Sequence, residues 1–325
     1  MSTTGTDAAA LRSAAEAALR APSIFNTQPW RWHVTAGALE LSADPDRQLP
    51  VVDPEHRMST LSCGIALHHA LVALAAEGRA VAATRLPDPA RPNLLARIEI
   101  TGHRSPDPAD VRRFEATEIR HTDRRLFTDE RVPAEVLDRL RAAADAQGAR
   151  LHLVRAEDVP ALASAISHAQ RLQMADPAYR AELARWTHRP PGSGDGVPAD
   201  TATPPTPRTV PVREFDIAAG GDLPAGTGHD EAASYAVLAG DADEPAAWLR
   251  AGEAMSAVLL EAVNAGVSVS PMSDAAEVTA TRQAVRGLLF GIGYPYLVLR
   301  IGMAEPATGV PATPRRNPSE VITED

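Results

Sequence analysis

The chain contains no lysine, so all 32 of its Lys and Arg positions are arginine. A pyridoxal Schiff base, a lysine nucleophile and the lysine of a Walker-type phosphate loop each require a side-chain amine, so the sequence excludes all three. The absence itself is typical of compositional bias. Any phosphate recognition must therefore use the forked guanidinium groups of arginine.

Cysteine is almost absent as well. Cys63 is the only one, which excludes an intramolecular disulfide and any site built from several thiolates, as expected in a reducing compartment. The opening residues MSTTGTDAAA lack the basic and apolar regions of a signal peptide. We also find no run of about 18 apolar residues to span a bilayer. We therefore expect a cytoplasmic protein without a membrane partner.

Further absences narrow the classes of function. No basic run is present and the net charge is -10, which argues against a nucleic-acid partner. The motifs H-E-x-x-H and G-x-S-x-G are missing, and Gly291-Ile-Gly293 never completes a dinucleotide fingerprint. Cys63 lies close to His68 and His69 on an apolar helical run, where packing is favoured over a metal site or a thiol nucleophile.

What the sequence does contain is a globular composition, with 44% apolar and 23% charged residues over 325 positions. A helix, a loop and a strand occupy the region from Asp7 to Val34, and the same order recurs from Pro133 to Arg155. We interpret the chain as two diverged copies of one unit, a first half at 1–118 and a second half at 119–325.

A stretch rich in proline, glycine and threonine runs from Thr187 to Gly228. No regular element is expected in it, and so long a loop within a compact domain is usually either functional or disordered. A lid over a site is one use of such a segment.

The loop Pro22-Ser-Ile-Phe-Asn-Thr-Gln-Pro-Trp30 displays small polar side chains between two prolines. Its residue types suit the polar edge of a heterocycle such as flavin, and they equally suit a capped turn that leads into a strand. Arg120, Thr122 and Arg124 alternate, so an extended backbone places them on one side. Together with Arg315 and Arg316 they suit a phosphate, or else a solvated face.

These segments resemble motifs of the nitroreductase family. The loop 22–30 resembles its flavin-ring loop, Arg120-His-Thr-Asp-Arg124 resembles its Arg-Arg-Ser-x-Arg phosphate motif, and Pro314-Arg315-Arg316 resembles its C-terminal basic pair. Here the phosphate motif follows the ring loop, whereas ordinary members have the opposite order. Thr122 retains the hydroxyl of the usual serine, while His121 replaces the second arginine.

The pattern is similar to the Acg-type actinobacterial branch, whose members are fused pseudo-dimers with one flavin pocket beneath a lid. Trp186, Asp195-Gly-Val-Pro198 and Leu299-Arg-Ile-Gly302 extend the resemblance over nearly the whole chain. It implies an α+β fold with central, mostly antiparallel sheets flanked by helices, in which two related halves mimic a homodimer. A monomer is then expected.

The resemblance also implies site residues. Pro22, Ser23, Asn26 and Gln28 would contact the flavin ring and ribityl chain, and Arg120, Thr122, Arg124 and Arg316, with Arg315 as a second basic contact, would hold the phosphate of FMN. The stretch Pro271, Met272 and Ser273 would present a backbone amide to flavin N5. No catalytic acid or base is implied, because the flavin carries the chemistry.

The function expected from this resemblance is FMN-dependent oxidoreduction of a small molecule, with NAD(P)H as the reductant. Two alternatives stay open at this point. One is a protein that sequesters flavin beneath a closed lid with little turnover, and the other is an FMN-dependent oxidase or dehydrogenase of a biosynthetic intermediate.

Overall fold

The computed structural model describes residues 3–190, 192–215, 222–306 and 310–325. The helices are α1 (Thr3–Ala18), α2 (Arg57–Ala76), α3 (Pro108–Ile119), α4 (Ala134–Asp145), α5 (Val159–Ala175), α6 (Pro177–Thr187), α7 (Pro245–Asn264), α8 (Asp274–Glu277), α9 (Thr279–Leu288) and α10 (Pro318–Val321). The strands are β1 (Trp30–Val34), β2 (Ala38–Ala43), β3 (Arg79–Arg85), β4 (Leu94–His103), β5 (Arg150–Leu153), β6 (Ser234–Gly240), β7 (Ser268–Met272), β8 (Tyr294–Gly302) and β9 (Ile322–Glu324). The fold is α+β, as predicted.

The strands form two sheets with one topology. The first has the order β3-β4-β2-β1-β9, and the second, read from its β7 edge, has the order β7-β8-β6-β5. In each half two strands precede a long helix and two follow it, α2 in the first half and α7 in the second. All pairs are antiparallel except β1 with β9. The prediction of two related halves is therefore confirmed.

The two halves meet where α2 crosses α7. A Cβ atom on Gly64 would lie 2.0 Å from the carbonyl oxygen of Leu249, and one on Gly252 would lie 2.0 Å from that of Leu61. Only glycine allows two helix backbones to approach so closely. The pairing that two chains of a homodimer would make is thus made within one chain.

Helix α2 satisfies the length and composition of a membrane span, contrary to our reading of the sequence, but 89% of its apolar window is buried inside the protein. It packs against α1, α3 and α7 and against the first sheet. A helix that is apolar on all sides is covered in this way when it forms a protein core.

The C-terminal segment returns to the first half. Strand β9 pairs in parallel with β1, with Trp32 opposite Ile322. This return brings Arg315 and Arg316 beside the loop 22–30, although they lie almost 300 positions away in sequence. By the predicted boundary between residues 118 and 119, β9 belongs to the second half, although it pairs with a strand of the first. The boundary itself stays a prediction.

Four helices and three strands were not predicted, namely α5, α6, α8, α10, β2, β7 and β9. Strand β7 contains Pro271, which lacks a backbone N–H, and it is tolerated because β7 is an edge strand. Between Thr187 and Gly228 the described residues contain only one short 3₁₀ turn, Ala199–Thr201, as the composition predicted.

Candidate flavin site

A cavity lies between the two halves, with an empty volume of about 1010 Å³ that includes the space open to solvent. Helices α2 and α7 and strand β7 contribute to its wall. The described residues 188–190 and 192–215, which follow α6, form the covering segment and line part of the cavity. Its lining is mainly apolar, and it includes seven of the residues predicted for the flavin site: Pro22, Ser23, Thr122, Arg124, Pro271, Met272 and Ser273.

The loop 22–30 lines part of the cavity, and its backbone is strained. Phe25, Asn26 and Gln28 have φ values of 48°, 52° and 49°, in the left-handed region that costs energy for residues other than glycine. The hydroxyl of Ser23 accepts a hydrogen bond from the backbone N–H of Gln28 at 2.9 Å, and Ser62 accepts one from Ile24 at 3.2 Å. Such strain persists only where the surroundings fix the loop.

The side chains of Asn26 and Gln28 were predicted to contact the flavin, but the structure uses them to hold three segments together. Asn26 Nδ2 donates to the carbonyl groups of Gly196 and Pro314, both at 3.0 Å. Gln28 Nε2 donates to Gly194 at 2.8 Å, and its Oε1 accepts from the backbone of Arg316 at 3.0 Å. Neither residue lines the cavity, and a contact of either side chain with the flavin stays a prediction.

The phosphate motif follows α3 without regular structure. Thr122 and Arg124 line the cavity, whereas Arg120 is buried and does not belong to its lining. The guanidinium of Arg124 donates to the carbonyl of Thr201 at 3.0 Å and stacks 4.8 Å from the ring centroid of Phe215. Both contacts come from the segment that covers the cavity.

Three arginines gather here without an anionic partner. Among the residues that the structure describes, no carboxylate forms an ion pair with Arg120, Arg124 or Arg315, and Nε and Nη1 of Arg120 and Nε of Arg315 have no hydrogen-bond acceptor. Burial, together with the charges of Arg315 and Arg124, lowers the pKa of Arg120 to about 9. Burial lowers the pKa of Arg124 and that of Arg315 to about 10.

Buried cations of this kind are unfavourable unless an anion neutralises them. A phosphate supplies roughly −1.5 to −2 charges and three acceptor oxygens, so the donor set fits the terminal phosphate of FMN. Nε and Nη1 of Arg120 are donors that such a phosphate would satisfy.

The two C-terminal arginines have different surroundings. Arg315 lies near enough for its charge to lower the pKa of Arg120, and it donates to Asn26 Oδ1 at 3.2 Å. Arg316 was predicted as the firmer phosphate contact, but its guanidinium lies 3.5 Å from Asp44 and 3.8 Å from Glu320. Arg316 thus has carboxylate neighbours, whereas Arg315 has none among the described residues, so Arg315 is the better candidate for the phosphate.

The end of β7 supplies the opposite part of the cavity wall. Pro271, Met272 and Ser273 line it, with Asp274 next to them. Because β7 is the last strand of its sheet, one of its edges has no neighbouring strand to accept its amides. This placement agrees with an amide presented toward a ligand in the cavity.

Sequence reasoning missed how the covering segment is anchored. Arg213 forms ion pairs with Asp274 at 2.6 Å and Glu277 at 2.7 Å, and it stacks 4.9 Å from the ring of Phe25. Phe215 meets Phe25 edge to face at 6.1 Å between centroids. The available signal was Arg213 close to Phe215, the one phenylalanine, tryptophan or tyrosine in the sequence from Thr187 to Gly228.

Cys63 and its two histidine neighbours on α2 pack in the core, as expected. Burial raises the pKa of the Cys63 thiol, which donates to the carbonyl of Pro29. Burial also lowers the pKa of His68 to about 4, and its Nδ1 lies 2.8 Å from the hydroxyl of Ser256. The thiol is therefore not a reactive thiolate.

The whole chain was compared with known proteins. No family model matches the chain. It is 40% identical to "Putative NAD(P)H nitroreductase Rv3131" of Mycobacterium tuberculosis (strain ATCC 25618 / H37Rv), over 99% of this chain and 93% of that protein. It is 34% identical to "Putative NAD(P)H nitroreductase acg" of the same strain, over 96% of this chain and 95% of that protein.

Among solved structures, the FMN and NADPH-dependent nitroreductase NfnB from Sphigopyxis sp. strain HMH matches with a TM-score of 0.42 and 20% identity, over 65% of this chain and 97% of that one. The two mycobacterial relatives match along nearly their full length. The chain therefore belongs to the nitroreductase family, in the branch that contains acg and Rv3131.

Proposed function

We propose that this protein binds one FMN in the cavity between its halves and acts as an FMN-dependent oxidoreductase, with NAD(P)H as the electron donor. The observation that supports it most is the group of arginines, Arg120, Arg124 and Arg315, that lacks an anion beside a largely apolar cavity. When bound, the flavin supplies hydride transfer through N5, which no side chain of this protein provides.

The protein's own residues would bind the flavin and orient it. Arg120, Arg124 and Arg315, with the hydroxyl of Thr122, would hold the phosphate. Ser23 and the backbone of the loop 22–30 would bound the ring system, opposite the end of β7 at Met272. Ile24, Phe25 and Phe215 line the cavity and would keep water out of it.

A flavin-sequestering protein is the second candidate, and the anchoring of the covering segment favours it. Besides the ion pairs of Arg213, the carboxylate of Asp195 accepts from Arg189 at 2.6 Å and from Arg47, which ties the segment to the first half. The pairs of Asp195 with Arg47 and of Arg213 with Asp274 and Glu277 must break before the segment moves aside. An oxidase or dehydrogenase of a biosynthetic intermediate would use the same cavity.

Anaerobic reduction separates these functions. The FMN-loaded protein is mixed with NADH or NADPH, and the visible flavin band is followed over time. Bleaching by either nucleotide supports the oxidoreductase, whereas bleaching by dithionite alone supports sequestration. Peroxide release with one organic donor, and no response to nicotinamide, would identify an oxidase.

We also propose that the protein is a monomer in the cytoplasm. The crossing of α2 and α7 at Gly64 and Gly252 already provides within one chain the contact that a homodimer would need. Sedimentation at several protein concentrations tests this, and a constant mass near 34.4 kDa is the expected result.

A further inference from the structure

The backbone of the phosphate motif is held by side chains from distant parts of the chain. Arg300 Nη2 donates to the carbonyls of Asp123 at 3.0 Å and Arg125 at 2.9 Å. Arg208 Nη2 donates to the carbonyl of Arg124 at 2.8 Å. The carboxylate of Asp230 accepts from the N–H of Phe127 at 2.6 Å, and this completes the set.

These three side chains bind one another. Asp230 lies between the two arginines, at 2.8 Å from Arg208 and at 2.6 and 2.7 Å from Arg300. The exposed fraction of each side chain is 1% or less. Burying two cations and one anion carries a large desolvation cost. In this cluster the same side chains form hydrogen bonds to the backbone of the phosphate motif.

Arg208 belongs to the covering segment, so the cluster of Arg208, Asp230 and Arg300 connects the phosphate motif to that segment. The same segment contacts the guanidinium of Arg124 through the carbonyl of Thr201 and the ring of Phe215. It therefore contacts Arg124 at both its backbone and its charged end. Arg124 cannot shift without disturbing the covering segment.

We propose that Arg208, Asp230 and Arg300 are positioning residues that hold Thr122 and Arg124 toward the cofactor phosphate and couple phosphate binding to the covering segment. The proposal rests on the proposed function, because it needs FMN in the cavity. Coupling of this kind is reciprocal: if the segment improves phosphate binding, the phosphate must stabilise the segment by the same free energy.

Riboflavin provides the probe, because it has the ring and ribityl chain of FMN without the phosphate. The dissociation constants of FMN and riboflavin are measured by quenching of flavin fluorescence for the unaltered protein, Arg208→Met and Arg208→Lys. Arg208→Met leaves Asp230 paired with Arg300, so a buried ion pair remains. Arg208→Lys keeps the charge and loses the fork that reaches both Asp230 and the carbonyl of Arg124.

We expect both variants to weaken FMN by about tenfold, the loss of one charge-assisted hydrogen bond, and to change riboflavin binding by less than about threefold. The control is Arg85→Met, which breaks the pair with the buried carboxylate of Glu253 and involves no residue of the motif. General destabilisation would weaken both flavins together, and the control should leave their ratio unchanged.

A second readout tests the coupling itself. Trypsin cleavage after Arg213, which Glu214 follows in the same segment, should be slowed by saturating FMN more than by saturating riboflavin in the unaltered protein, and equally by both in Arg208→Met. An unchanged ratio of the two affinities in Arg208→Met overturns the proposal. Normal binding by Arg208→Lys would also overturn it, since charge alone would then suffice. An unaltered protein that binds neither flavin would instead contradict the proposed function.

Discussion

Replacing Arg120 by methionine should stabilise the cofactor-free protein and weaken FMN binding at once. Burial and neighbouring charges lower the pKa of Arg120 from 12.5 to about 9, which corresponds to roughly 5 kcal/mol at about 1.4 kcal/mol per unit. Both the folded and the unfolded state hold the proton at pH 7, so the whole penalty is present there. It is relieved only as the pH rises through the folded pKa.

Methionine retains most of the apolar stem, and replacing a buried charge by such a residue gains on the order of 1–4 kcal/mol. We therefore expect the free energy of unfolding of the cofactor-free protein to rise by about 2 kcal/mol, measured by urea denaturation. FMN binding should weaken by at least about tenfold, because one charge-assisted contact to the phosphate is lost.

Arg85→Met is the matched control, since it leaves the buried carboxylate of Glu253 without its bidentate partner at 2.6 Å. We expect it to lower the free energy of unfolding by about 3–5 kcal/mol and to leave FMN affinity unchanged. If Arg120→Met destabilises the cofactor-free protein as Arg85→Met does, and FMN affinity stays the same, Arg120 is a structural residue and our reasoning is wrong.

Three further predictions concern other parts of the molecule. Gly64→Ala should lower the free energy of unfolding by about 3 kcal/mol in thermal denaturation, because the new Cβ would meet the carbonyl of Leu249 at 2.0 Å. Asn26→Ala should cost about 2–3 kcal/mol in urea denaturation, since it leaves the buried carbonyl of Gly196 without a partner and removes a second hydrogen bond to the carbonyl of Pro314. Folding at acid pH should depend on His68, whose pKa is about 4 in the folded protein against 6.5. The unfolded state then binds the proton first, so stability falls by roughly 3 kcal/mol between pH 6.5 and 4, and His68→Gln should remove that part of the loss.

Two of these predictions have natural controls in the chain. An added Cβ on Gly37 meets nothing within 4 Å, so Gly37→Ala should be nearly neutral. His103 is exposed, and His103→Gln should keep the acid-induced loss of stability. A neutral Gly64→Ala would contradict the described helix crossing, and an unchanged acid profile in His68→Gln would mean that His68 is solvated.

The periodicity of the sequence was sufficient to predict the two halves. Each half begins with a helix followed by a strand, and both elements have the hydrophobic pattern expected for their type. Strand β7 was missed because its edge position, which permits Pro271, is a property of the sheet and not of the local sequence. The residues of the cavity were predictable where a motif fixes them, as at Ser23, Thr122 and Arg124.

The directions of side chains were not predictable. Asn26 has the hydrogen-bonding groups that a flavin needs, but its partners at Gly196 and Pro314 lie 170 and 288 positions away in sequence. Arg315 and Arg316 are adjacent and identical in type, and the fold brings Asp44 to the second while Arg120 lies near the first. Contacts of such long range depend on the completed topology.

The most direct test of the central claim is an equilibrium titration of the cofactor-free protein with FMN, followed by flavin fluorescence, beside the Arg124→Ala variant. We predict saturation at one FMN per chain, with binding weaker by about 2 kcal/mol in Arg124→Ala, the value of a charge-assisted contact to phosphate. Two FMN per chain, no binding at all, or equal binding by the variant would contradict a single site with its phosphate held by the buried arginines.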